Sequence, residues 1–334
     1  MKAVGFRKSL PIADAESLID FDAPAPEARA RDLVVEVKAI SVNPVDTKMR
    51  MRGVPAGQTM ILGFDAAGVV KSVGREATLF KPGDEVFYAG SNIRPGTNAE
   101  LHAVDERIVG RKPKSLSFAQ AAALPLTSIT AWELMFDRMH IPRNATKGSL
   151  LVIGGAGGVG SIMVQLARKL TGLTVIATAS RPETIKWCLE LGAHHTVDHT
   201  KALPAELKRI GIPEVNYVAS LTQTAHHYPS VPDLIAPQGA FGLIDDPGTL
   251  DIMPLRRKCA SAHWEGMFTR STFTTPDIQA QHDLLCEVSA LVDAGTLRTT
   301  MTQNLGTINA ANLKRAHALI ESGTTIGKIV LEGF

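Results

Sequence analysis

Leu150-Leu151-Val152-Ile153-Gly154-Gly155-Ala156-Gly157-Gly158-Val159-Gly160 is the stretch that decides the fold of this chain. Its first four residues are all apolar, the pattern of a fully buried strand, and they run without a spacer into a glycine-rich turn. Gly155, Gly157 and Gly160 keep the G-x-G-x-x-G spacing. In that pattern the first glycine permits the tight turn, the second lets the backbone approach a pyrophosphate, and the third packs helix against strand. Ile162, Leu166, Ala167 and Leu170 recur at helical spacing after the glycines, which predicts a helix over Ser161 to Leu170. Its N-terminus would offer free N–H groups and the positive end of the helix dipole to an anion. Gly155, Ala156, Gly157, Gly158, Val159 and Gly160 are therefore candidate cofactor contacts. A second strand, Thr174 to Thr178, follows where a βαβ unit needs one. The competing reading is an ordinary glycine-rich turn in an α/β protein.

The end of the second strand bears on which dinucleotide is bound. NAD sites place an acid there for the ribose 2′-hydroxyl, whereas NADP sites use a cation for the 2′-phosphate. This chain has Ala179-Ser180-Arg181-Pro182, with no acid at the tip. Arg181 can grip a phosphate through charge-assisted hydrogen bonds, with Ser180 as a further donor, so NADPH is expected over NADH. Ser180 also reads as a helix N-cap, because Pro182 suits the first helical position. Ser220, Thr222 and Ile244 follow the apolar runs Val215 to Ser220 and Ala240 to Ile244, at strand ends where open α/β sheets bind ligands.

At 334 residues the chain is long for one core, and two domains are expected. A 45% hydrophobic and 20% charged composition with net charge +2 fits a globular protein and gives no reason to propose nucleic acid or a membrane surface. A small-molecule ligand is the expectation. The N-terminal residues show neither an apolar signal core nor a span, so a cytoplasmic location is expected. Cys188, Cys259 and Cys286 are few, odd in number and widely spaced, which fits a reducing compartment and gives no metal cluster.

The first 124 residues read as mainly β, with short runs such as Leu33 to Ala39 and Gly68 to Gly74 and the turn Lys81-Pro82-Gly83-Asp84 leading into a strand. From about Thr127 helices alternate with short apolar strands, the texture of a doubly wound parallel sheet. The segment from about Leu297 ends in the strand-like Gly327 to Leu331. The expected organisation is a mainly β domain at 1–124 completed by 297–334, a dinucleotide domain at 125–296, and a ligand cleft between them.

Ser41-Val42-Asn43-Pro44-Val45-Asp46, Gly63-Phe64-Asp65-Ala66-Ala67-Gly68, Pro82-Gly83-Asp84-Glu85-Val86, Thr130-Ala131-Trp132, the glycine loop and Gly327-Lys328-Ile329-Val330-Leu331 together resemble the medium-chain dehydrogenase/reductase superfamily over essentially the whole chain. The quinone oxidoreductase branch is the most similar part of it. The resemblance implies an α/β fold: a GroES-like catalytic domain, completed by the C-terminal segment, and a Rossmann domain. It also implies a homodimer or homotetramer, and it places Lys328 with the cofactor. Zinc-dependent alcohol dehydrogenases of the superfamily carry Cys where this chain has Asn43, His-Glu where it has Phe64-Asp65, and a second Cys near Leu126. Tyr88 to Glu100 lacks the cysteines of their structural zinc lobe. Catalytic zinc needs three protein ligands, so no metal is expected.

Without zinc, oxidation of an alcohol loses its main support, whereas reduction of a quinone or an α,β-unsaturated carbonyl by NADPH needs only a placed donor and a proton. Asn43 is a candidate donor toward the substrate oxygen or the nicotinamide ribose; Asn before Pro also reads as a turn residue. Lys48 stands where zinc-free relatives often have Tyr, and otherwise reads as a solvated charge. Asp46 is expected to orient its neighbours. Thr130 lies where relatives touch the nicotinamide, or is a helix residue at a domain junction. Phe64, His263 and Trp264 are candidate pocket walls, the last two reading equally as a surface His beside a core Trp. Trp132 reads as core. His194-His195 and His226-His227 are poor chelates, because adjacent side chains diverge. Two other functions stay open: alcohol dehydrogenation with substitute zinc ligands, and a non-catalytic NADPH-binding sensor or crystallin-like protein.

Overall fold

The computed structural model describes every residue except Ala56. The chain forms two compact units, Met1–Ile129 with Phe268–Phe334, and Thr130–Met267.

The continuous unit holds six parallel strands, β1 (Ser149–Ile153), β2 (Thr174–Thr178), β3 (His195–Val197), β4 (Val215–Ser220), β5 (Ile235–Leu243) and β6 (Ser261–Trp264), in the spatial order β3-β2-β1-β4-β5-β6. This is the doubly wound order, whose direction reverses between β1 and β4 and opens a crevice at their carboxyl ends. All five residues of β1 are buried, as a central strand covered on both faces requires. Leu151, Ile153, Ile176, Val218 and Phe241 pack into one of the unit's cores. The helix after the glycines begins at Gly158 and runs to Leu170, one turn earlier than its apolar spacing predicts. Gly158 to Gly160 carry no apolar side chain to mark that first turn except Val159.

The other unit is mainly antiparallel. One sheet places the strands in the order Met301–Asn304, Lys328–Glu332, Asp32–Val42, Asp65–Val73, Glu85–Tyr88 and Val109–Arg111, with Leu101–Asp105 also pairing Asp32–Val42. A smaller sheet joins Ile19–Asp22, Lys2–Phe6 and Met60–Ile61. Val35, Ile40, Val86, Ile329 and Leu331 lie in the shared core. The chain returns to this unit at Phe268 rather than near Leu297. Helix Ala280–Asp293 lays its buried Leu284, Leu285, Val288 and Val292 stripe toward it, packing on strand Val109–Arg111. A Cβ at Gly110 would stand 2.5 Å from Leu285 Cβ, so the glycine is what lets the helix approach. An amphipathic stripe announces burial but does not say which sheet covers it. Among the described residues no helix is long and apolar enough to cross a membrane.

Candidate active site

The turn after β1 has the steric form of a phosphate cradle. Gly154 takes φ +87°, a left-handed conformation that favours glycine. Its N–H donates to Thr178 Oγ1 at 3.0 Å, tying the turn to the end of β2. A Cβ at Gly155 would meet Ala177 Cβ at 2.6 Å and Cys188 Sγ at 3.2 Å, and one at Gly160 would meet the Gly154 carbonyl oxygen at 2.3 Å. Those two glycines are therefore required by the protein's own packing. At Gly157 a Cβ would meet nothing nearer than the Gly154 oxygen at 3.5 Å, and Gly157, Gly158 and Val159 are partly open. Open space at the middle glycine, at the head of a 13-residue helix, leaves room for a ligand pyrophosphate beside the unpaired first-turn N–H groups. Ala156 is buried under the turn. The chain's own residues fit a dinucleotide here.

At the tip of β2, Arg181 itself is the N-cap of helix Pro182–Glu190, and Thr184 Oγ1 accepts its N–H at 3.2 Å. Ser180 is thus not the cap, and is half-buried beside it. The Arg181 side chain is 41% exposed and its Nε lies 3.3 Å from Glu183, a surface pairing of little strength. Ser220 is buried with Oγ 2.7 Å from Thr224 Oγ1, Thr222 is exposed beside Gly154, and Ile244 N–H donates to the Ser220 carbonyl. Asp245, which no sequence pattern singles out, accepts the Thr224 N–H at 3.0 Å and also its hydroxyl, joining the loops after β4 and β5.

In the other unit two registers converge on one buried cluster. Strand Lys328–Glu332 sets Ile329 opposite Val42, and strand Asp65–Val73 sets Asp65 opposite Ser41, so Lys328 and Asp65 meet beside Asn43. Asp65 is 0% and Lys328 3% exposed. The ammonium donates to Asp65 Oδ2 at 3.0 Å, to the Val42 carbonyl at 3.1 Å, and to Asn43 Oδ1. Three N–H groups thus meet three acceptors. Asp65 Oδ2 also accepts from Ser41 Oγ and Asn43 Nδ2, each at 2.8 Å, and Oδ1 accepts the Leu126 N–H at 2.7 Å. A buried ion pair is tolerated only when the remaining donors and lone pairs are met in this way. Asp46, the third residue of helix Pro44–Arg50, accepts the Asn43 N–H at 2.7 Å, and burial pushes its pKa up to about 7.

This donor set does not fit a catalytic zinc. Asn43 and Asp65 are turned to Lys328 and to each other, Phe64 packs its ring on Phe268 at 4.7 Å between centroids, and Leu126 contributes only backbone. A tetrahedral site needs three free N, S or O ligands, and a cation already stands among the polar groups. Among the described residues no three His, Cys, Asp or Glu side chains are grouped to hold a metal.

Lys48 is exposed on its helix, Thr130 is buried, and Trp132 is buried as expected. Trp264 is 57% exposed at the end of β6, and His263 Nε2 lies 2.8 Å from Ser261 Oγ. Of the paired histidines, His194 Nδ1 accepts the Val175 N–H and His227 is buried against His226 at 4.8 Å. Glu133 and Glu265, both buried, share Arg138, which reaches Glu265 at 2.9 Å and Glu133 at 3.5 Å; burial beside Glu133 raises the Glu265 pKa. Their separation in sequence gives no signal. The Lys328–Asp65 pair does leave one: each is a charge at the first position of a strand whose next residues are apolar or glycine.

A doubly wound dinucleotide sheet together with a GroES-like β unit defines a class, and residues 29–126 match the alcohol dehydrogenase GroES-like domain family while residues 191–331 match the zinc-binding dehydrogenase family. The chain belongs to the medium-chain dehydrogenase/reductase superfamily and is an oxidoreductase of that family. It is 39% identical to a zinc-type alcohol dehydrogenase-like protein of Staphylococcus aureus over 99% of both chains. It is 37% identical to the 2-methylene-furan-3-one reductase of Solanum lycopersicum, over 53% of this chain and 47% of that one. Among solved structures, a proposed zinc-dependent alcohol dehydrogenase from Rhizobium etli is 59% identical with a TM-score of 0.96, covering 100% of this chain and 98% of its own. The quinone oxidoreductase of Pseudomonas syringae is 26% identical with a TM-score of 0.81, over 99% of each chain.

Proposed function

We propose that this protein is an NADPH-dependent reductase of quinones or α,β-unsaturated carbonyls that works without zinc. The observation that carries the reading is the Asp65 carboxylate, whose oxygens already receive Lys328, Asn43, Ser41 and the Leu126 N–H, leaving no ligand set for a metal. The names of the tomato reductase and of the quinone oxidoreductase point toward the same substrate classes.

Bound NADPH would supply a hydride to an electrophilic carbon, with negative charge collecting on the acceptor oxygen. Gly155 to Gly160 and the helix they begin would hold the pyrophosphate through backbone N–H groups. Arg181, with Ser180 beside it, would hold the 2′-phosphate. Asn43 has one Nδ2 hydrogen and its Oδ1 committed to Asp65 and Lys328, which fixes the amide plane; its second Nδ2 hydrogen remains for an oxygen acceptor. Asp65 and Lys328 act through Asn43 as positioning residues.

The test is NADPH consumption against a panel of quinones, enones and simple alcohols, with NADH and a zinc chelator in parallel and metal content measured on the purified protein. Chelator-insensitive reduction that prefers NADPH is expected. The names of the full-length relatives favour zinc-type alcohol dehydrogenation, and stoichiometric zinc with alcohol oxidation lost on chelation would establish that reading instead.

A further inference from the structure

Cys286 stands apart from everything described above. It lies on helix Ala280–Asp293 one turn after His282, half-buried, with Sγ 3.7 Å from His282 Nε2. His282 Nδ1 lies 2.6 Å from the Val109 carbonyl, which can only accept, so Nδ1 carries the proton and Nε2 is the basic nitrogen; Sγ lies beside the ring, 3.9 Å from Nδ1 as well. That is the arrangement by which a general base activates a nucleophile: base within reach, and oriented by a third group. The Arg111 N–H also donates to Sγ, and the Arg111 guanidinium adds positive charge.

We propose that Cys286 and His282 form a nucleophilic pair that captures α,β-unsaturated carbonyls as a covalent thioether. The thiol proton passes to His282 Nε2. Sγ then adds to the β-carbon of the acceptor, forming the C–S bond as the C=C π pair shifts toward the carbonyl oxygen, and the imidazolium returns its proton to the α-carbon. Thiol plus enone equals adduct, with no oxidant or reductant required.

Burial alone would raise the thiol pKa, but the His282 hydrogen bond and Arg111 outweigh it and lower it, while the bond to Cys286 raises that of His282. The other charged groups of the surroundings include Asp283, which also raises the His282 pKa, and Glu287 on the same helix, Asp84, which lies 3.5 Å from the Arg111 guanidinium, and Glu106 and Arg107 on the turn packed against the helix. Glu106 is taken by Arg31 and by the Thr78 and Leu79 N–H groups, and Arg107 by Asp105. The chain supplies its own controls. Cys259 is exposed, and Cys188 is fully buried with its pKa pushed up to about 12 by desolvation.

The experiment treats the full-length protein with methyl vinyl ketone and follows each cysteine peptide by mass spectrometry between pH 6 and 9.5. It reads adducts rather than turnover, so its outcome is independent of the reductase proposal. At pH 6.5 Cys286 is expected to react severalfold faster than Cys259, because the positive surroundings hold more of it as thiolate. The lead should shrink toward pH 9.5, and His282→Gln should abolish it. Equal or faster reaction of Cys259 at pH 6.5, or an undiminished lead in His282→Gln, would overturn the proposal. Should that variant not fold, the wild-type profile decides: a reaction midpoint for Cys286 below that of Cys259 supports the pair, and one equal or higher refutes it.

Discussion

Lys328 and Asp65 show what a single residue can decide. Each is a charge removed from water, and each is tolerated because the other, with Asn43, Ser41 and two backbone groups, meets its hydrogen-bonding capacity. Replacing Lys328 by Met leaves the carboxylate buried without its cation, a loss of about 3–5 kcal/mol. The double variant Lys328→Met/Asp65→Asn should regain much of that, since a neutral pair carries no uncompensated charge; denaturant midpoints of the single and double variants measure the coupling. A double variant no more stable than Lys328→Met would refute the pairing argument. Arg181 makes the second residue-scale prediction. If its guanidinium holds the 2′-phosphate, Arg181→Ala removes a charge-assisted contact of about 1.5–3 kcal/mol, roughly 10- to 100-fold in the NADPH KM. NADH, lacking that phosphate, should be almost unaffected, and equal losses for the two would remove Arg181 from the site.

The glycine turn is the element on which binding rests, and its glycines are there for different reasons. Gly155 is packed against Ala177 and Cys188, so Gly155→Ala should destabilise by about 1–3 kcal/mol through overpacking. Gly157 has φ −71° and open space at its Cβ position, so Gly157→Ala should cost less than about 1 kcal/mol of stability, as a changed N-cap does. Its added methyl would nevertheless stand in the pyrophosphate's place and weaken NADPH at least tenfold, by roughly 1.4 kcal/mol or more. Thermal melts and NADPH titration of the two variants separate the roles. A Gly157→Ala protein that binds NADPH normally would show that the cofactor does not use this turn. The same logic explains how the elements of the other unit build the polar cluster: strand register alone, with Ile329 opposite Val42 and Asp65 opposite Ser41, brings together residues far apart in sequence.

Global stability should carry the signature of Asp46. Its pKa in the fold, about 7, is above the ordinary carboxylate value because burial penalises the charge. A raised pKa means the folded state prefers the protonated group. The contribution is therefore fully present below pH ~4 and is lost as pH rises through about 7, at about 1.4 kcal/mol for each pH unit crossed between the two values. Asp46→Asn keeps an acceptor for the Asn43 N–H but cannot ionise. Its melting temperature should gain on wild type steadily from pH 4 to pH 7 and then run parallel; a constant difference across that range would contradict the buried-carboxyl account. Glu265, held beside Glu133 with one arginine between them, pulls in the same direction at higher pH. The unit that carries Asp46 also takes in helix Ala280–Asp293, which the alternation of strand and helix in the sequence assigns to the dinucleotide unit.

The glycine spacing, the apolar run before it and the missing acid after Thr178 were legible in the sequence, because a turn, a central strand and a helix start are set by residues adjacent in the chain. So were the alternation of strand and helix and the lack of zinc-ligand types at Asn43, Phe64 and Leu126. The tertiary structure alone decided the rest. Lys328 is placed with the cofactor by the family resemblance and in the fold is spent on Asp65 and Asn43; His282 and Cys286 are neighbours one helical turn apart, but the Val109 carbonyl that orients them is distant in sequence. Both are matters of which donor meets which acceptor across strands and helices distant in sequence. Hydrogen bonding and desolvation act over a few ångströms of space, and a local pattern of residues holds no record of that distance.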